Sequence, residues 1–124
     1  MLEQSRVYEY VEDRLYMGEL RDADAVGNSS LDGQPPHTTI YLRICEDLVK
    51  EARFTTSGCG FMIASVGALI ELATDQTIQT CLSISEQQIV QHLRGIPDPR
   101  RYCTTLAIIA LRDALTNYTL KLKS

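Results

Sequence analysis

Tryptophan is absent from this 124-residue sequence, and the aromatic residues that remain make up only 6% of it. Acidic residues outnumber basic ones, which leaves a formal net charge of -4. Proteins that bind single-stranded nucleic acids combine aromatic stacking platforms with a positively charged groove. The composition provides neither feature, so we expect no nucleic-acid partner.

Long hydrophobic runs are absent as well. No stretch approaches the roughly 18 consecutive apolar residues that a membrane-spanning helix requires, so no membrane association is expected. Residues 1–6 contain neither the basic segment nor the start of the apolar segment that a secretory signal would show. We therefore expect a cytoplasmic protein.

The four cysteines show no Cys-x-x-Cys pairing, so their spacing gives no strong indication of a zinc site. In a reducing compartment, free thiols or metal ligands are expected rather than disulfides. Cys45 is interpreted as an incidental or packing thiol and Cys81 as a structural one. With 44% apolar and 23% charged residues, the composition predicts a globular protein, and the length fits one domain over residues 1–124.

One motif that the sequence does contain is a cysteine between two glycines. Residues 54–65 read FTTSGCGFMIAS, in which a strand-like segment ends at Cys59 and an apolar helix begins. The flanking glycines permit a tight turn from which the thiol projects. A helix N-terminus also favours the thiolate that binds metals. These residues alone fit a metal-binding thiol and a small buried residue equally well.

A second motif places Cys103 at the start of another helix. Residues 96–107 read IPDPRRYCTTLA, in which Asp98 and Pro99 form a typical N-cap and first-turn pair. The charges of Arg100 and Arg101, together with the helix dipole, predict a stabilised thiolate at Cys103. The alternative is a small residue packed under the start of the helix.

The periodicity of the hydrophobic residues predicts the remaining elements. The first helix is predicted over residues 3–16, with Val7, Tyr8, Val11 and Leu15 on its apolar face. A loop is predicted over 21–36, strands over 38–44 and 48–54, and helices over 61–73, over 86–94 and from about 99 to 120. His92 is placed on the solvated side of its helix, without a role.

The two cysteine motifs, in this order, resemble the signatures of the iron-sulfur cluster assembly scaffold family of IscU/NifU type. The resemblance extends from about Val7 to Leu115 and includes DADAVG at residues 22–27. It implies an α+β fold, in which helices pack on one face of a small antiparallel sheet and the last helix is long. It also implies a scaffold rather than an enzyme, one that receives sulfur from a cysteine desulfurase and passes a cluster to recipient apoproteins.

The sequence departs from the family pattern where the first ligands are expected. Counting without a gap puts Gln34-Pro35-Pro36 at the family's Cys-Gly-Asp, and Tyr102 stands where the family has histidine. Cys59 and Cys103 are the ligands that remain, and they are the predicted cluster-binding and metal-binding residues. His37 is interpreted as a surface or half-buried residue.

The number of ligands limits what one chain can bind. A [2Fe-2S] cluster needs four terminal ligands, usually thiolates, and one chain offers two. A second copy in a homodimer, an external thiol, or weak ligation by Gln34 and His37 could complete the set. Tetrahedral zinc, which purified protein could also carry, meets the same shortage, although water can fill an open position.

The resemblance thus predicts an iron-sulfur cluster assembly scaffold or carrier that binds iron or a labile [2Fe-2S] cluster through Cys59 and Cys103. One alternative is a degenerate homologue that acts as an interaction or regulatory partner of cysteine desulfurase without a cluster. Pro35-Pro36 and the apolar pair Ile108-Ile109 favour that alternative. Another is a sulfur carrier in which Cys103 takes a persulfide.

Overall fold

The structure is a computed structural model that describes residues 5–123. In chain order the elements are α1 (Val7–Asp13), β1 (Ala25–Leu31), β2 (Gln34–Cys45), β3 (Leu48–Thr56), α2 (Gly60–Ala73), α3 (Ile78–Leu82), α4 (Glu86–Leu93) and α5 (Tyr102–Lys123). A short 3-10 turn over Asp98–Arg100 precedes α5. The predicted α+β class, with a small antiparallel sheet and a long C-terminal helix, is confirmed.

The three strands pair antiparallel in the order β1-β2-β3. Along β2 the side chains alternate because successive residues of a strand point to opposite faces. Ile40 and Leu42 are fully buried on the face that the helices cover, and Phe54 of β3 joins them. This face of the sheet, together with α2 and α5, encloses the hydrophobic core.

The prediction of a loop over residues 21–36 is wrong for most of that range. β1 and the start of β2 form a hairpin, with Leu31 paired to Gln34 across the turn. Asp32 and Gly33 make the turn with φ angles of 51° and 80°. Two positive φ angles match the twist of a hairpin, and Asp-Gly adopts them readily. The polar composition of the segment suggested a loop, but the segment forms a strand, and this turn sets its pairing with β2.

Helix α1 is shorter than predicted and turned differently. Its predicted residues 3 and 4 lie outside the described residues, and its buried residue is Tyr10, whereas Tyr8 is 75% exposed. The ring of Tyr10 packs on Gly67 of α2, where a Cβ would lie 2.6 Å from the ring atom Cδ1. The burial of this one large side chain therefore sets which face of α1 points inward.

Helix α2 is buried along most of its length, as its nearly all-apolar sequence predicts. Because it packs against α1, α4, α5 and β3, it brings the N-terminal and C-terminal helices together. None of the helices within residues 5–123 combines the length and apolarity needed to cross a membrane.

Gly27 allows α5 to lie directly on β1. A Cβ at this position would be 2.1 Å from the backbone nitrogen of Ala114 and 2.4 Å from the carbonyl oxygen of Ala110. Backbone therefore packs against backbone, and only glycine leaves enough space. Two residues further along the strand, Ser29 is 8% exposed, and its hydroxyl has no hydrogen-bond partner among the described residues.

Both edges of the sheet are hydrogen-bonded to other parts of the chain. At the β1 edge, Asp113 accepts from the backbone N–H of Asn28, and the side chain of Asn117 donates to the carbonyl of Val26, each at 2.8 Å. At the β3 edge, the backbone of residues 16–18 bonds to Phe54, and that of residues 75–76 bonds to Val49. Backbone groups that would otherwise point outward from the sheet are thus paired at several positions.

Candidate functional site

Cys59 lies at the turn between β3 and α2, where the sequence predicts a strand-to-helix corner. It is the N-cap residue of α2, its backbone is extended, and its side chain is exposed. Gly58 is required by the packing of this corner, because a Cβ there would lie 2.6 Å from Cβ of Met62 and 3.0 Å from Cβ of Pro36. The turn thus presents the thiol at the surface.

Cys103 is the second residue of α5, in the opening turn where it was predicted, and only 1% of it is exposed. The prediction that Asp98 caps this helix is wrong. Asp98 belongs to the preceding 3-10 turn, its side chain is 93% exposed, and the turn has no side-chain cap. The turn spaces Asp98 away from the helix, which begins at Tyr102.

Cys59 and Cys103 lie near each other although they belong to different motifs and different helices. They are close enough to interact electrostatically, and both also interact with Arg100. Burial, followed by the charge of Cys59, raises the pKa of Cys103 to about 11, and the opposing effects of Tyr102 and Arg100 are smaller. The predicted stabilised thiolate at Cys103 is therefore wrong, because desolvation outweighs the nearby positive charge.

Of Arg100 and Arg101, the two arginines predicted to lie beside Cys103, only Arg100 is close enough to the thiols to interact with both. Arg100 interacts electrostatically with both Cys59 and Cys103. Its hydrogen bond to Tyr102 is the main cause that raises the pKa of the guanidinium, and the charges of the two cysteines raise this pKa further. The guanidinium carbon also lies 5.9 Å from the centre of the Phe61 ring. Arg101 points elsewhere, toward Asp98 and Gln87. We call the set Cys59, Cys103, Arg100 and Phe61 the thiol corner.

The positions that replace the family's first ligands lie at the start of β2. Gln34 and His37 are exposed, and the backbone N–H of His37 donates to the hydroxyl of Ser57 at 2.9 Å. Pro36 packs against Gly58, next to Cys59. Within residues 5–123, no group of three or more His, Cys, Asp or Glu side chains could hold a metal ion. The described residues of one chain therefore do not complete a four-ligand site.

The other two cysteines lie away from the thiol corner, in agreement with their interpretation as incidental or structural. Cys45 is exposed at the hairpin between β2 and β3. Cys81 is buried in α3, and its S–H donates to the carbonyl of Ala73 at 3.5 Å. Burial raises the pKa of Cys81 to about 11, which keeps it as a neutral thiol.

The sequence analysis missed a polar cluster around Glu71. The carboxylate accepts hydrogen bonds from the hydroxyls of Tyr10 and Tyr16, and it lies 2.8 Å from Nε2 of His92 and 3.9 Å from Arg6. The prediction that His92 has no role on a solvated face is wrong, because Glu71 on the neighbouring helix draws it inward. A glutamate within an otherwise apolar helix was the available signal.

The Glu71 cluster is expected to make stability depend on pH. Burial alone would raise the pKa of Glu71, but the hydrogen bonds from Tyr10, His92 and Tyr16 outweigh it and lower the pKa below its ordinary 4.5. A lowered pKa in the folded state contributes stability that is present above the unfolded-state pKa and is lost as pH falls through the folded-state pKa.

We therefore expect Glu71→Gln to lower the free energy of unfolding by about 1–2 kcal/mol at neutral pH. Because protonation removes the same interactions from the unmodified protein, the difference should shrink as pH falls below about 4. Urea denaturation followed by circular dichroism measures both effects. Glu9→Gln, at a 57% exposed side chain of α1, is the control and should change little. A difference that stays constant down to the lowest pH would contradict this account.

Comparisons with known proteins identify the family. The chain matches the NifU-like N terminal domain over residues 2–124. It is 29% identical over 113 residues to the iron-sulfur cluster assembly scaffold protein IscU 1 of Archaeoglobus fulgidus, covering 91% of this chain and 74% of that protein. It is 32% identical over 107 residues to the iron-sulfur cluster assembly scaffold protein IscU of Aquifex aeolicus, covering 85% and 68%.

A solved structure shows the same fold. The N-terminal NifU-like protein of Brucella abortus aligns with a TM-score of 0.71 and 16% identity, covering 97% of this chain and 96% of that one. The family match spans nearly the whole chain and agrees with the resemblance of the two cysteine motifs. This chain belongs to the NifU-like N-terminal domain family.

Proposed function

We propose that this protein is an iron-sulfur cluster assembly scaffold or carrier whose cargo, iron or a labile [2Fe-2S] cluster, is held by Cys59 and Cys103. The observation that carries the proposal is that the exposed Cys59 and the buried Cys103 lie close enough to interact electrostatically with each other and with Arg100. Thiolates are the usual terminal ligands of such clusters. The names of the relatives, which are scaffold proteins, support the same role.

The number of thiols supports a cluster shared between two chains. One chain offers two of the four ligands, and two chains offer all four as two copies of the same pair. Cys59 faces solvent and can approach a second copy directly, whereas Cys103 is buried behind it and would have to become accessible to share a cluster. An external thiol is the other source of ligands that a cell supplies.

The proposal includes partners and a setting. A cysteine desulfurase would supply the sulfur, and apoproteins would accept the cluster, so the chain acts as a carrier and not as an enzyme. The setting we propose is the cytoplasm, where a reducing environment would keep cysteines as free thiols.

Anaerobic reconstitution with ferrous iron and sulfide tests the proposal. The expected result is a coloured protein with sulfur-to-iron charge-transfer bands and one [2Fe-2S] cluster per two chains. Cys59→Ser and Cys103→Ser should each abolish the bands, because each removes half of the remaining ligands. Cys45→Ser, which removes an exposed thiol away from the corner, is the matched control and should leave the spectrum unchanged. A colourless wild-type protein would remove the proposal.

One observation favours an interaction module without a cluster. Pro36, at the position of the family's aspartate, packs against Gly58 and occupies space beside Cys59. The apolar pair Ile108-Ile109, which also favoured this function in the sequence, gives weaker support than predicted. Ile108 is only 6% exposed, so of the two only Ile109, at 47%, faces outward. Capture of a purified cysteine desulfurase by metal-free protein, together with the absence of iron and zinc after anaerobic purification, would favour this function.

A further inference from the structure

An apolar groove lies between α1 and the start of α2, close to the turn that carries Cys59. Its cavity has a volume of about 200 Å³ and is lined by Ser5, Val7, Tyr8 and Phe61. We call this set the α1–α2 groove. Tyr8 is 75% exposed, although the sequence pattern placed it on the apolar face of α1. A large aromatic side chain left outside the core, next to an apolar groove, is typical of a surface that contacts another protein.

The two sides of the α1–α2 groove carry opposite charges. Glu12 lies one helical turn after Tyr8, so it borders the groove on the α1 side. The guanidinium carbon of Arg100 lies 5.9 Å from the centre of the Phe61 ring, so Arg100 borders the groove on the α2 side. Both charged side chains are exposed, and neither forms an ion pair within residues 5–123. The groove therefore has an acidic edge and a basic edge.

We propose that the α1–α2 groove is the contact surface of a homodimer, in which Tyr8 of each copy packs into the groove of the other copy beside Phe61. In a twofold dimer one patch meets itself, so every contact between two different residues occurs twice. The twofold rotation places Glu12 of each copy next to Arg100 of the other. Charges that complement themselves in this way favour a second copy, because an acidic or a basic partner would be repelled at one of the two edges.

The aromatic rings supply the affinity of this contact, and the edge charges supply its orientation. Aromatic side chains bury large areas and pack favourably against each other, and tyrosine is frequent among the residues that dominate interface energies. Exposed ion pairs add little affinity, whereas like charges brought together oppose binding. A groove of this size belongs to contacts below about 1,200 Å² of buried surface, which are weak and reversible. We therefore expect a dimer that forms and dissociates readily.

The position of the groove connects the dimer with the proposed function. Phe61 follows Cys59 by two residues, so the contact brings the exposed Cys59 residues of two copies to the same end of the assembly. Sharing of cargo across this contact rests on the proposed function. The self-association itself stands on the groove and its two edge charges, and it needs no iron.

Sedimentation of the reduced, metal-free protein over a series of concentrations tests the proposal. We expect an equilibrium between monomer and dimer. Tyr8→Ser should weaken association by more than about tenfold, because it removes the aromatic anchor from both halves of the contact. Leu120→Ser, at a 59% exposed leucine near the end of α5, is the matched control and should associate as the wild type does.

Charge reversal tests the orientation of the two copies. Glu12→Arg and Arg100→Glu should each weaken association by about tenfold, because each brings like charges together twice in the dimer. The double variant exchanges the two edges and should associate as the wild type does. In about 1 M salt, where charges are screened beyond about 3 Å, the single reversals should have little effect, whereas the effect of Tyr8→Ser should persist.

Three results would overturn the proposal. The first is a wild type that stays monomeric at about 1 mM, where even a weak dimer is populated. The second is association that Leu120→Ser weakens and Tyr8→Ser does not, and the third is a folded double variant that associates as weakly as the single reversals. Circular dichroism shows whether each variant is folded. Because the assay contains no iron, failure of self-association leaves cluster binding by reconstitution untouched, and a colourless reconstituted protein that still dimerises removes only the proposed function.

Discussion

A double variant, Gln34→Cys with Pro36→Asp, is expected to bind a [2Fe-2S] cluster within a single chain. The two substitutions return a thiolate and a carboxylate to the positions where the IscU/NifU pattern has them. Residues 34 and 36 lie on the same face of β2, because strand side chains alternate with a period of two. Pro36 packs against Gly58, so a carboxylate at position 36 would lie next to the thiol corner.

The measurement is iron and sulfide content per chain after anaerobic reconstitution, combined with sedimentation. Content per chain should rise about twofold over the wild type, because four ligands then come from one chain instead of two. Pro35→Gly, which relaxes the same segment without adding a donor, is the matched control and should keep the wild-type stoichiometry. Unchanged stoichiometry in a folded double variant would show that the start of β2 does not reach the cargo.

Gly27→Ala is expected to lower the free energy of unfolding by about 3 kcal/mol, because the new methyl group would overlap the backbone of α5. Its clash is with the backbone atoms of Ala114 and Ala110, which cannot rotate away as a side chain could. The helix must therefore shift as a unit. Since Cys103 lies in the first turn of α5, the variant should also weaken cluster binding.

Ser29→Ala is the matched control for this substitution. It changes the same strand on the same buried face, but it removes a hydroxyl that has no partner among residues 5–123. Removing an unpaired buried hydroxyl is nearly neutral or stabilising. Urea denaturation of both variants measures the contrast, and a Gly27→Ala protein as stable as Ser29→Ala would contradict the close packing of α5 on β1.

The sequence predicted the features that depend on local chemistry. The glycines around Cys59 indicated the corner, and the alternation from Thr38 to Ile44 indicated β2, because both patterns act through neighbouring residues. The two motifs also indicated, through the family resemblance, that Cys59 and Cys103 share a site. Their role as ligands stays a prediction, although the structure places the two cysteines close enough to interact electrostatically.

The predictions that were wrong concern partners distant in the chain. The inward face of α1 depends on Tyr10 meeting Gly67 and Glu71 of α2, and no periodicity within α1 contains that information. The charge state of Cys103 depends on burial, which counting nearby arginines cannot supply. The strand at residues 25–31 depends on pairing with β2, and its polar composition suggested a loop instead.

The hydrogen bonds along the outer strands have a consequence for self-association. Exposed strand edges are the usual templates for β-augmentation and for aggregation by sheet extension. Here Asp113 and Asn117 already cover Asn28 and Val26, so an added strand would have to displace them. A second copy is therefore expected to dock through side chains near Cys59, which directs dimer formation toward the end of the molecule where cargo would be shared.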